Sequence, residues 1–84
     1  MYNVIISKKV EKMLDKISND YYQLIIEHLL DLEQNPRPFG SIKLADSKNT
    51  YRIRVDVCHV IYTIQDDVLM VEVVKIDHRG SVYK

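Results

Sequence analysis

Arg52 and Arg54 stand two apart, alternating with Tyr51, Ile53 and Val55. On a strand, that spacing sends both guanidiniums from one face and leaves the apolar trio to a core. Paired guanidinium forks suit phosphate oxygens, although the same pattern also suits a solvated sheet face. Lys48 extends the basic stretch, and residues 48–54 contain no acid. His59 falls on the next alternating run and could share the arginine face. An imidazole exchanges protons near neutral pH, which makes His59 a candidate general base or acid. His78 and Arg79 follow the last apolar run, at a sheet end where functional groups gather. Tyr83 lies away from every core stripe. It could stack on a base, move a proton or pack down the tail.

Other chemistries find little support. The chain has three histidines, on separate elements, and one cysteine, and no metal-ligand spacing links them. Cys58 adjoins His59, and a strand sends neighbours to opposite faces, so Cys58 reads as a small core residue and not as half of a nucleophile pair. No glycine-rich phosphate loop is present. Neither a metal nor a cofactor is expected.

The elements that must position these residues follow from periodicity. Residues 2–6 are β-branched and short, ended by Ser7, and predict a strand followed by a helix N-cap. Val10, Met13, Leu14 and Ile17 make one helical stripe. Tyr22, Ile25, Ile26, Leu29 and Leu30 make a second, after a break at Ser18-Asn19-Asp20. Asn35-Pro36-Arg37-Pro38-Phe39-Gly40 ends it, because proline disfavours a helical residue before it. Two helices so closely joined predict an antiparallel hairpin. From Tyr51 the period becomes two. Val60, Tyr62 and Ile64 alternate with His59, Ile61 and Thr63, and Gln65-Asp66-Asp67 reads as a turn. Residues 68–76 are nearly all apolar and suit a strand covered on both faces. The expected fold is α+β in the order βααβββ, a helical hairpin packed on a largely antiparallel four-stranded sheet, in one domain over residues 1–84.

Composition sets the outer bounds. The 84 residues are 46% hydrophobic and 29% charged, with two glycines and two prolines, which is globular composition. Twelve basic residues balance twelve acidic ones, so bulk charge would not hold duplex nucleic acid. The charges are unevenly spread. Residues 20–33 carry four acids and no Lys or Arg. No apolar run approaches a membrane span, and the first residues lack a signal peptide's order. These features point to the cytoplasm.

Four segments together resemble the RelE branch of the RelE/ParE toxin superfamily. They are Tyr51-Arg-Ile-Arg-Val55, His59-Val-Ile-Tyr-Thr-Ile64, the acidic turn and apolar run from Asp66 to Ile76, and His78-Arg-Gly-Ser-Val-Tyr83. The likeness spans nearly the whole chain. It implies a type II toxin, neutralised by a RelB-like antitoxin in a hetero-oligomer, that cuts messenger RNA on the ribosome. In that reaction a ribose 2′-OH attacks the adjacent phosphate without a metal. The resemblance implies Arg79 as the late catalytic arginine and Tyr83 as the C-terminal tyrosine, serving as base or stacking group. It makes Arg52 and Arg54 the basic strand pair. Lys48, from the basic stretch, and His78, from the sheet end, complete the candidate RNA contacts. The chain departs where the family has Tyr-Arg and this sequence has Cys58-His59, and where a usual glycine is replaced by Asp56-Val57. His59 thus stands in place of a phosphate-contacting arginine, as a rival base. Two alternatives are a ParE-like gyrase poison, and a weakly catalytic relative that acts by antitoxin binding and transcriptional repression.

Overall fold

The structure, a computed structural model, describes residues 1–45 and 47–78, the last by its backbone alone. Strand β1 (Asn3–Ile6) leads into helix α1 (Lys8–Asp15) and helix α2 (Asn19–Gln34). Strands β2 (Ile42–Lys43), β3 (Thr50–Val55), β4 (Cys58–Gln65) and β5 (Met70–His78) follow. The sheet has five strands in the order β1-β5-β4-β3-β2. β1 runs parallel to β5, and the remaining pairs are antiparallel. The four strands expected from sequence are present. The fifth, β2, has two residues and pairs Ile42 with Arg52 and Lys43 with Tyr51. It is too short to leave a periodic signal.

Local chemistry sets the helix starts. Ser7 accepts a hydrogen bond from the Val10 amide at 3.3 Å, which caps α1 as expected. Val10, Leu14 and Ile17 are buried with Ile25, Leu29 and Leu32 against one sheet face. One expected stripe residue is displaced. Leu30 is 58% exposed, and Leu32 fills the core in its place. The run of Leu29, Leu30 and Leu32 left the inward choice to the packing angle of α2.

From the sheet, Ile53, Val55, Cys58, Val60, Tyr62, Ile64, Val71, Val73 and Ile76 complete the core. The pairing of β4 with β5 shifts between Ile61 and Tyr62: Ile61 faces Lys75, and Tyr62 faces Val73. Val74 is therefore the extra residue of a β-bulge. The bulge lets Val71, Val73 and Ile76 all point into the core. It also corrects the expectation that this strand is covered on both faces. Lys75 and Asp77 are exposed, with Glu72 and Val74 only half-buried.

The remaining connections are tight. Asp56 and Val57 link β3 to β4 in a two-residue hairpin, with Asp56 at φ 56°. Aspartate tolerates this left-handed region better than most residues, so it can fill a place that favours glycine. The expected turn after β4 is a short 3-10 turn over Asp66–Val68, closed by Leu69 at φ 50°.

Candidate active face

The sheet face opposite the helices carries the polar residues of interest. Arg54 pairs across the hairpin with His59, and His59 pairs with Asp77 on β5. Residues paired in register point to the same side, so Arg54, His59 and Asp77 form a row across three strands. The neighbouring row runs Ile42, Arg52, Ile61, Lys75. Arg52 and His59 are half-buried, while Arg54 and Asp77 are exposed. Arg54 donates from Nε to the Asp56 carbonyl at 2.8 Å, which folds its guanidinium toward the hairpin turn. The two Nη groups are the ones an anion would meet. Glu72 and Asp77 also lie on this face, so it is mixed in charge and not uniformly basic.

The strand parity separates Cys58 from His59 as expected. Cys58 is fully buried, and burial pushes its thiol pKa up, which makes it a poor nucleophile. Among the described residues, no group of three His, Cys, Asp or Glu side chains could hold a metal ion, and no helix is long and apolar enough to cross a membrane.

The ParE toxin family of type II toxin-antitoxin systems, parDE, matches residues 4–83. A chain of the archaeal RelE-RelB complex from Pyrococcus horikoshii OT3 is 31% identical, with a TM-score of 0.84 over 94% of this chain and 96% of that one. The chain belongs to the RelE/ParE superfamily of type II toxins. A chain of the Mycobacterium tuberculosis RelBE2 complex shares the fold at 22% identity and TM-score 0.80, over 93% of this chain and 98% of that one. The isolated E. coli RelE toxin shares it at 17% identity and TM-score 0.82, over 96% and 87%. No curated protein sequence matches the chain significantly.

On this toxin, the structure brings together three of the expected site residues: Arg52, Arg54 and His59. Lys48 is exposed at a bend before β3. Thr50, at that end of β3, pairs with Thr63, so Lys48 sits toward the opposite end of the hairpin from Arg54 and His59. His78 ends β5, its backbone in register with Cys58, and its side chain lies outside the described residues, as do Arg79 and Tyr83.

Two residues went unremarked in the sequence. Asp77 joins His59 only because of the Val74 bulge. Strict alternation from Val71 and Val73 would have sent Asp77 into the core. Arg37, read only as part of a helix-ending loop, anchors the far end of the toxin. Its Nη groups donate to both Asp66 oxygens at 2.8 and 3.2 Å, and its Nε donates to the Tyr51 hydroxyl at 3.1 Å. The Tyr2 hydroxyl donates to the same carboxylate at 2.6 Å. The Arg37 and Tyr2 bonds hold the Asp66 carboxyl down at about 2. An arginine between two prolines and a distant acidic turn were the only signals available.

Proposed function

We propose that this toxin is a ribosome-dependent endoribonuclease that cleaves messenger RNA by 2′-OH transphosphorylation, and that a RelB-like antitoxin neutralises it. The observation that carries this reading is the Arg54–His59–Asp77 row with Arg52 beside it. The reaction removes a proton from the 2′-OH and forms a bond from that oxygen to phosphorus. It breaks the bond to the 5′ oxygen, which takes up a proton. The products are a cyclic 2′,3′-phosphate and a 5′-OH. Such chemistry needs a base, an acid and cations around the crowded phosphate. His59 accepts the 2′-OH proton in this reading, with Asp77 across the strand to orient the imidazole. Arg52 and Arg54 grip phosphates. Arg79 stabilises charge on the transferring group, and Tyr83 stacks on a base or relays a proton. Lys48 and His78 add RNA contacts. An arginine is a poor base, because its pKa exceeds about 12. The antitoxin must cover this face or displace part of it, with acids meeting Arg52 and Arg54.

The test is induction of the toxin in growing cells, with primer extension on cellular messages. Cuts within translated codons support the reading. The family match bears the ParE name, so gyrase poisoning is the second reading. Growth arrest with protein-linked DNA breaks and intact messages would establish it instead. No toxicity would mark a relative that acts through antitoxin binding and transcriptional repression.

A further inference from the structure

The hairpin between β3 and β4 turns on Asp56 and Val57, and of the two only Asp56 has a positive φ, at 56°. Two-residue hairpins of that pattern ordinarily place glycine first, because a side chain is disfavoured there. Asp56 is exposed, and among the described residues its carboxylate takes no hydrogen bond and no ion pair. The group in use is its main-chain carbonyl, which accepts from Arg54 Nε at 2.8 Å.

That bond has two consequences for Arg54. A guanidinium can meet a phosphate side-on, with Nε and one Nη, or end-on, with both Nη groups. With Nε occupied, the end-on fork is the one left. The carbonyl is also neutral, so it fixes the guanidinium without cancelling its charge. Two carboxylates share the surroundings. Asp31 lines the same cleft between α2 and β3 as Arg54, and Asp77 stands beyond His59 in the row that Arg54 begins. Among the described residues, Arg54 forms an ion pair with neither.

We propose that Asp56 is a positioning residue of the candidate active face: its positive-φ backbone turns a carbonyl onto Arg54 Nε, so that the guanidinium is presented end-on, unpaired and already ordered, to an RNA phosphate. The proposal rests on the nuclease reading above and adds how one of its cations is held. A long side chain loses rotamer freedom when it grips an anion, and anchoring it beforehand removes that cost. The backbone does this and the carboxylate does not. Residues that take positive φ readily should therefore serve at position 56, and a β-branched residue should not.

The test measures cleavage of a ribosome-bound message at rising concentrations of full-length toxin. It compares wild type, D56G, D56N, D56V, R54A and D56V added to R54A, with thermal melting in parallel. In D56V the half-saturating concentration should rise about 5-fold, the cost of ordering one long side chain, with the limiting rate unchanged. D56G and D56N should match wild type. D56V should add nothing to R54A, because Asp56 acts through Arg54. A second readout is exchange of the Arg54 Nε proton with water, followed by NMR and assigned by its loss in R54A. Exchange should be slow in wild type and D56G and fast in D56V. D56V at the wild-type half-saturation overturns the positioning role. So does a further loss on top of R54A, which marks general damage to the fold. D56G that fails as D56V does makes the carboxylate the working group and overturns the backbone assignment. If D56V does not fold, D56A carries the same comparison. A wild type that cuts nothing overturns the nuclease reading, whereas fast exchange in the wild type overturns the anchor, so the two failures are distinguishable.

Discussion

The Arg37 guanidinium grips both carboxylate oxygens of Asp66, 29 residues away in sequence, at 2.8 and 3.2 Å. The pair is solvent-facing, with 43% and 57% of the two side chains exposed. It ties the loop after α2 to the turn between β4 and β5, and Tyr2 adds the N-terminal segment to the same carboxylate. Arg37 also lies over the Tyr51 ring at 5.2 Å, and Tyr51 stacks on Tyr62 with ring centroids 6.1 Å apart.

This clamp makes stability acid-sensitive. The Asp66 carboxyl is lowered from 3.8 to about 2, so its contribution is present above pH 3.8 and lost as pH falls through 2. Urea melts between pH 5 and pH 2 should show that loss. D66N should be less stable than wild type at pH 5 and should show a smaller decline across the window. High salt should narrow the difference, because the pair is exposed.

Tyr62 predicts the alkaline limb. Burial pushes its hydroxyl from 10.0 up to about 12. Its protonated, hydrogen-bonded form therefore stabilises the fold below pH 10, and that contribution is lost as pH rises through 12. Y62F should cost about 1–2 kcal/mol at neutral pH, since it leaves the Pro36 carbonyl without its partner. The variant should also lose stability less steeply above pH 10. Denaturant titration at pH 7 and pH 11 checks both.

Leu32 and Leu30 should respond oppositely to truncation. Leu32 is fully buried, whereas Leu30 is 58% exposed. L32A should cost about 2–5 kcal/mol through lost burial and a cavity, which is a large share of a small domain's stability. L30A should stay within about 0.5 kcal/mol. Equal effects in chemical denaturation would show that α2 is rotated from the orientation described.

The site assignment is tested through cleavage rates. R79A should lose about 3–4 kcal/mol of barrier lowering, a roughly hundred- to thousandfold drop in rate, by analogy with removing one oxyanion donor. H59A should fall comparably. Full activity in a folded R79A variant would refute the phosphate role. A folded H59A variant that cuts at the wild-type rate would move the base to Tyr83.

Much of this architecture was legible in residue order. The Ser7 cap, the Val10–Ile17 stripe, the proline-ended second helix and the period-two runs from Tyr51 to Ile64 each rest on interactions between near neighbours. So does the placement of Arg52, Arg54 and His59 on one face, because strand parity and a two-residue hairpin fix it. Three features were decided only by tertiary structure. The Val74 bulge reversed the parity of β5 and put Asp77 beside His59. Nothing in an apolar run marks which residue will be left unpaired, since that depends on the twist and packing of the partner strand. The choice of Leu32 over Leu30 came from the angle at which α2 meets the sheet. The Arg37–Asp66 clamp joins residues whose separation in sequence carries no periodic signal, so only the folded chain could bring them together.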